Sequence, residues 1–479
     1  MSKDRRVYTR QARRVNGGRF GIFPFFRPID SSASARYKPA MLAGSQFPTA
    51  LVYTLGAFAL ILLLARLRFP LAPAIFVGTA ALAAAFGGGP GDFLYSAASG
   101  LVQSRTLALI VITILLLTLS ETMLAGGQMK EIVSLVRVLL RRPAVAMAAL
   151  PALVGLLPMP GGALFSAPMV AAAAGGKETR AAKLSAVNYW FRHIWEHWWP
   201  LYPGVLLAVT LTGKDLSAFI GVQFPQTVIM ASAGLLIFRH TGGDLHARAA
   251  AAPAGTRKKL VSATSSIWLI LLVWAVVRAA VAVVPGTGEL SDDTRGLLTG
   301  YAPVALGLVV SVAWTVRLNR LDARRFIGIL RKWSIWNLAI LVASVMVFQY
   351  VLGELEAAER IGVELQQLRI PAILVVAVLP FIAGMVTGLA IGFVGTSFPI
   401  VLSIVAAMSG EPSVWPYVAL AYGMGHIGQM MSPLHLCHVM SNQYFGTPFG
   451  PVYRQIVPSA VLQVVLLAGY FLLLRMVFG

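Results

Sequence analysis

The chain has 479 residues, 57% hydrophobic and 12% charged, with apolar runs of about twenty residues recurring along it, which excludes a water-soluble core and describes a polytopic helical membrane protein. Its formal charge of +21 rests on basic residues placed in short loops and in the N-terminal tail, the distribution of membrane orientation and not of a nucleic-acid-binding face. The single cysteine, Cys437, excludes an internal disulfide and reads as a small buried apolar residue.

Residues 1–47 hold ten Lys or Arg against two Asp, a net of +8, and show no apolar periodicity, so this tail is expected to be mostly disordered, a bland extension or the product of a start site placed upstream of Met41, with attraction to anionic lipid as the alternative. It is not expected to be a cleavable signal peptide, because the first long apolar run begins near Pro48. Continuous spans are predicted at 49–66, 70–88, 105–125, 186–210, 217–238, 263–285, 296–316, 335–353, 413–440 and 455–477, ten in all. Two further segments, 144–175 and 370–408, are each long enough to enter the membrane, turn at a Gly/Pro-rich centre and leave on the same side. No connecting segment exceeds about 25 residues, which leaves no room for an ordinary extramembrane catalytic domain.

Charge orients these elements. With the two hairpins re-entrant, the basic loops 127–142, 177–183, 239–259 and 317–332 all face the cytoplasm, and the acidic loops 286–295 and 354–368 face outward. Counting each hairpin's first arm as a crossing gives twelve spans and puts the basic loop 127–142 outside. The ten-span arrangement places residues 1–47 outside, against their charge, but four loops outweigh one tail.

The first hairpin centre reads Leu157-Pro-Met-Pro160-Gly161-Gly162-Ala-Leu-Phe-Ser166-Ala-Pro168. Prolines and paired glycines stop a helix, and in hydrocarbon the freed backbone groups are tolerated only against protein or a wet cavity. The arm starting near Ala163 would aim a positive helix N-terminus at the break, suiting an anion. The alternative is a packing kink. The second centre, Thr387 to Pro399, offers Gly395, Thr396 and Ser397, whose hydroxyls and open backbone can coordinate Na⁺ or solute, or can satisfy the chain's own carbonyls.

The stretch Tyr189 to Leu201, YWFRHIWEHWWPL, recurs without a gap as Tyr422 to Leu434, YGMGHIGQMMSPL. Upstream, Pro151-x-x-x-Gly155 and Ser166-x-Pro168 recur as Pro380-x-x-x-Gly384 and Ser397-x-Pro399, with offsets of 229, 231 and 233 residues. The chain therefore reads as two copies, 48–240 and 263–479, joined by a cytoplasmic linker at 241–262. Five spans separate the third span from its counterpart, the eighth, so the copies are inverted.

Each repeated stretch is a span broken at proline. In the first, Asn188, Arg192, His193, Glu196 and His197 lie in a Trp-rich apolar run, where ionisable groups are costly and so point to substrate or proton handling. The competing reading is an interfacial aromatic belt into which Arg and His snorkel, with Arg192 and Glu196 as an i,i+4 ion pair. The second stretch carries His426, Gln429, Ser432, His435, His438, Ser441 and Asn442, a polar strip that faces something other than lipid. His193-Ile-Trp-Glu196-His197 also fits His-x-x-Glu-His, in which His193 and His197 would bind Zn²⁺ in an intramembrane metalloprotease. The second copy keeps only one of these histidines, so what is duplicated is the histidine and the break.

These runs, with Ser432-Pro-Leu-His-Leu-Cys437, resemble an uncharacterised prokaryotic membrane family, domain of unknown function 401, grouped with the ion transporter superfamily, over about residues 49–477. The resemblance implies two inverted repeats, each with a re-entrant hairpin and a broken helix, in an elevator-type carrier of carboxylates or other anions coupled to Na⁺ or H⁺. The chain departs from the dicarboxylate carriers in lacking their Ser-Asn-Thr signature in either hairpin, and its basic tail is extra.

The expectation is thus an all-α polytopic membrane protein of about ten transmembrane helices plus two re-entrant hairpins in two inverted repeats, in a prokaryotic inner membrane. Its solute site is expected at Pro160, Gly161, Gly162, Ser166, Asn188, His193, Gly395, Thr396, Ser397, His426, Ser432, His435 and Asn442, with Arg192 and Glu196 as a charge pair. No cofactor is expected beyond Na⁺ or H⁺ as coupling ion, since no ATP-binding P-loop is present, and the chain is not expected to be an enzyme. The expected partners are the bilayer, a small solute and, as an allowed assembly, a second copy in a homodimer. A membrane scaffold or channel is the remaining alternative.

Overall fold

The computed structural model describes residues 49–140, 143–156, 162–174, 181–238, 253–283, 294, 297–368, 371–408 and 413–478. The basic tail, Pro160 and Gly161 at the first hairpin centre, and much of the loops 177–183, 239–259 and 286–295 lie outside them.

Among the described residues every regular element is helical. The first half comprises α1 (Thr49–Arg66), α2 (Leu71–Ala85), α3 (Pro90–Leu101), α4 (Ser104–Ala125), α5 (Gln128–Leu139), α6 (Pro143–Gly155), α7 (Gly162–Ala173), α8 (Ala181–Arg192), α9 (Pro203–Thr212) and α10 (Leu216–Gly234, extended by a 3-10 turn to Phe238). A short helix, α11 (Thr256–Ala263), follows. The second half comprises α12 (Ser265–Ala282), α13 (Ala302–Leu318), α14 (Ala323–Leu330), α15 (Trp333–Glu354), α16 (Ala357–Leu368), α17 (Ala372–Thr387), α18 (Ala390–Ala407), α19 (Trp415–Met430), α20 (Leu436–Phe445) and α21 (Phe449–Phe478).

Among the described residues, six helical segments are long and apolar enough to cross a membrane: α1, α4, α10 with its 3-10 turn, Leu297–Leu318, Ala323–Glu354 and α21. Counting α11 and α12, bent by 60°, as one span makes seven. The other three predicted spans take shorter forms. The helix at 70–88 has 15 residues, and the spans at 186–210 and 413–440 are each split into two short helices by a break. Both predicted hairpins are pairs of short apolar helices packed on each other, α6 with α7 and α17 with α18.

Packing follows the same order in the two halves. Where α1 packs on α2, α12 packs on α13; where α4 meets α13, α15 meets α2; where α6 meets α8, α17 meets α19. Two further contacts also correspond across the halves. The second arm of the first hairpin, α7, packs on α20 beyond the second break, and the second arm of the second hairpin, α18, packs on α9 beyond the first. Each hairpin is thereby held against the broken helix of the opposite half, and the two breaks meet in the interior.

Three predicted loops contain short amphipathic helices, α5, α14 and α16. In α5, Met129, Ile132 and Val136 are buried at helical spacing while Lys130 and Glu131 are exposed. Such helices suit the edge of an apolar layer, with one face on the core and the other toward polar surroundings.

Candidate functional site

The first break spans residues 193–202. The α8 ladder stops at Arg192, a run of turns follows, and Pro203 starts α9 at a position where its missing N–H costs nothing. The second break is shorter. After α19 ends at Met430, Pro433 prevents continuation, the Ser432 hydroxyl accepts a hydrogen bond from Leu434 N–H at 3.2 Å, and α20 begins after His435.

Backbone groups freed near the breaks have partners. Trp195 Nε1 donates to the Ala152 carbonyl and Trp199 Nε1 to the Leu156 carbonyl, both at 2.8 Å, and Tyr202 Oη donates to the Gly155 carbonyl. Three side chains on the first break thus satisfy the end of α6, whose last carbonyls have no helical partner. Trp195 and Trp199, which the competing reading assigns to an interfacial belt, thus act as caps within the protein. Trp190, fully buried, donates to the Met230 carbonyl at 2.9 Å, and Trp198 Nε1 donates to Thr227 Oγ1 at 2.8 Å.

The repeated residues occupy matching environments. Tyr189 Oη donates to the Met430 carbonyl at the end of α19 at 3.1 Å, and its counterpart Tyr422 donates to the Glu196 carbonyl within the first break at 2.8 Å, so each tyrosine reaches across to the broken helix of the opposite half. A Cβ at Gly155 would collide with the Arg192 carbonyl, and one at its counterpart Gly384 would collide with the Gly425 carbonyl. Arg192 and Gly425 are themselves counterparts. At one further pair of positions the side chains are exchanged: in the first half the Arg192 guanidinium packs on Gly162, and in the second the Phe393 ring packs on Gly425.

Arg192 therefore fills the volume that a phenylalanine fills in the other half. It is 3% exposed and lies against the first residue of α7, where unpaired N–H groups give the helix end a positive partial charge. Two positive features converge at that point, as they do in anion sites.

Around it stands a buried polar cluster. Glu196 Oε2 accepts from Gln429 Nε2 at 2.7 Å and is 3.9 Å from His426 Nε2, while Oε1 is 3.8 Å from His193 Nε2. His193 Nδ1 lies 2.6 Å from the Tyr189 carbonyl, which accepts only, so this nitrogen carries the proton. His193 Nε2 is then an acceptor in the neutral ring, and the 3.1 Å contact to His435 Nε2 requires the hydrogen to sit on His435. Cys437 is close to both Arg192 and His193. His197 packs on the His426 ring at 4.1 Å, and His438 stacks on Tyr189 at 4.5 Å.

The remaining predicted residues are placed as follows. Asn188 Nδ2 donates to the Ala163 carbonyl at 3.1 Å and to Ser441 Oγ at 2.8 Å, and Ser185 donates to Asn442 Oδ1 at 2.6 Å, tying α8 to α7 and α20. Thr396 and Ser397 donate to the carbonyls of Gly392 and Phe393, four residues back, and Gly395 packs on Val345. These hydroxyls satisfy their own helix, the alternative weighed for them. The second hairpin turns earlier than expected, at Gly388, whose φ of 63° suits glycine and whose N–H bonds to the Gly384 carbonyl. Ser166 is buried in α7 and bonds weakly to the Gly162 and Ala163 carbonyls at 3.4 Å. Residues 193–198 form turns, so His193 and His197 do not share a helical face as a His-x-x-Glu-His zinc site requires.

A family model described as "Protein of unknown function (DUF401)" matches residues 50–249 and 299–474. No curated protein matches the chain. Among solved structures the fold is similar to that of the YdaH transporter of Alcanivorax borkumensis, described as having an unusual topology, at 15% identity over 81% of this chain and 89% of that one, with a TM-score of 0.53.

Proposed function

The chain belongs to the DUF401 family, and from that premise we propose that it is a secondary transporter of a small anionic solute, a carboxylate by preference, in a prokaryotic inner membrane. The observation that carries this reading is Arg192, a guanidinium buried between two helix breaks and set against the N-terminal end of α7. A charge buried in a membrane interior without functional need is strongly disfavoured, and a carboxylate is the natural counterpart of a planar guanidinium. The likeness of the fold to a protein described as a transporter supports the same reading.

In this proposal residues 48–240 and 263–479 are two inverted repeats, α6–α7 and α17–α18 are re-entrant hairpins, and alternating access is elevator-like. Gly162, Arg192 and the neighbouring Ser166 receive the carboxylate. The polar groups of the opposite half, Gln429 and Ser432, face it across the breaks. Uphill movement takes its energy from H⁺ or Na⁺. The matching contacts of Gly155 with Arg192 and of Gly384 with Gly425 support the repeats.

Purified protein screened by thermal shift against small carboxylates, with and without Na⁺, should show a rise in Tm with at least one of them, because a ligand that binds only the native state stabilises it. Reconstituted protein should then accumulate that compound under an imposed H⁺ or Na⁺ gradient. Arg192→Gln should weaken its binding by roughly tenfold or more, the worth of one charge-assisted hydrogen bond. Uptake that proceeds unchanged in Arg192→Gln, or an absence of any carboxylate response, would overturn the reading.

A further inference from the structure

We propose that His193, His435 and Cys437 form a metal site for a soft or borderline d¹⁰ ion, Zn²⁺ or Cu⁺, at the meeting point of the two breaks. One donor atom from each residue lies within 4.8 Å of the others, and all three residues are buried. They come from both halves: His193 opens the first break, His435 closes the second, and Cys437 stands in the first turn of α20.

The hydrogen bond made by His193 already has the form found around a bound metal. His193 Nδ1 donates to the Tyr189 carbonyl, which turns the lone pair of Nε2 toward His435 and holds the ring, the outer partner that metal-bound histidines require. The two Nε2 atoms stand 3.1 Å apart, near the ligand separation of a tetrahedral ion with metal–nitrogen bonds of about 2.0–2.1 Å. An ion bridging the two Nε2 atoms would displace the single hydrogen between them. Cys437 would bind as the thiolate, with the Arg192 guanidinium beside it.

Charge and protons balance. On binding, His435 shifts its hydrogen from Nε2 to Nδ1, so both imidazoles stay neutral, and the one proton released comes from the Cys437 thiol. Cu⁺ with two neutral imidazoles and a thiolate is then neutral. Zn²⁺ retains one positive charge, which Glu196 can offset: its Oε1 is 3.8 Å from His193 Nε2, while its Oε2 is held by Gln429. Two imidazoles and a thiolate select these ions over Mg²⁺ or Ca²⁺, which take oxygen ligands. This site involves His193 but not His197, so it is distinct from the protease motif, and it does not depend on the transport reading.

The test uses the full-length protein purified in detergent, stripped with chelator and reloaded with Zn²⁺, or with Cu⁺ under reducing conditions. Wild type should retain about one equivalent of one ion after desalting, and Cys437→Ser and His435→Gln should each lose it. Because either variant may misfold, wild type loaded with Co²⁺ gives a second readout, a thiolate-to-cobalt charge-transfer absorption. Retention of a full equivalent by folded Cys437→Ser, a failure of wild type to hold any of these ions, or Co²⁺ binding without the thiolate band would each overturn the proposal. None of these outcomes is read from transport, so a failed uptake assay leaves this result standing, and the reverse.

Discussion

Arg192 and Phe393 pack against glycines at exchanged positions of the two halves, Gly162 and Gly425, and this exchange can be tested by a double-mutant cycle. Gly162→Phe alone overpacks the site and should cost about 1–3 kcal/mol. Arg192→Gly alone leaves a void. The double variant Gly162→Phe/Arg192→Gly restores the second half's packing in the first, so its thermal stability should exceed the sum of the single losses by about 0.5–3 kcal/mol, while carboxylate binding is lost. At the same scale, Tyr189→Phe and Tyr422→Phe should each destabilise by about 1–3 kcal/mol, because each leaves a buried carbonyl unsatisfied; thermal unfolding of the two variants measures this directly. The sequence shows the duplicated tyrosine, histidine and proline because they keep a common spacing. It does not show the contact of His193 with His435, whose counterpart in the first half is Tyr202, so aligning the copies pairs His193 with His426 instead. The tryptophans mislead for a related reason: an indole that caps a buried carbonyl and one that sits at a lipid headgroup look alike in one dimension.

At the scale of elements, the first arm of each hairpin lies so close to its broken helix that only glycine fits. Gly155→Ala and Gly384→Ala should both reduce stability, by about 1–3 kcal/mol or more, through collision with a backbone carbonyl that cannot move aside. Gly221→Ala in α10, where an added Cβ meets nothing within 4 Å, should instead be neutral or stabilising; melting temperatures of the three variants compare them. The start of α10 offers a pH test. Burial pushes the Asp215 carboxyl up, but hydrogen bonds from Ser217 and the Arg278 guanidinium at 2.6 Å outweigh it and hold the group below the usual carboxylate range. A depressed carboxyl contributes stability above its unfolded pKa and loses it as pH falls through the folded one. Asp215→Asn should therefore be less stable than wild type at neutral pH, with the difference fading below about pH 4, as paired melting curves would record. The long spans are legible from apolar runs, whereas α5, α14 and α16 are hidden because their charged faces dilute the hydropathy that reveals a span. The turn of the second hairpin is hidden as well, since Thr387 to Pro399 contains several glycines and only Gly388 takes the left-handed backbone.

For the molecule as a whole, the proposed inversion predicts opposite accessibility of the two hairpins. Cysteines introduced at Gly161 and Leu389 in a Cys437→Ser background should react with an impermeant thiol reagent from opposite sides of the membrane. Labelling of both from the same side would exclude inversion and leave the matching contacts as a parallel duplication. The all-helical membrane fold is legible from composition and span length. The interior arrangement is not, because the contacts that define it join residues more than two hundred positions apart, and no local pattern encodes which break faces which.

The exchange of Arg192 for a ring also bears on how the proposed solute site is furnished. One volume accepts either a phenyl group or a guanidinium while the surrounding main chain keeps the same close approaches, with glycine always supplying the opposite wall. In the proposed carrier, selectivity is then a matter of which half is furnished with charge, and a relative could reverse that preference by refurnishing the other half, with no helix redrawn.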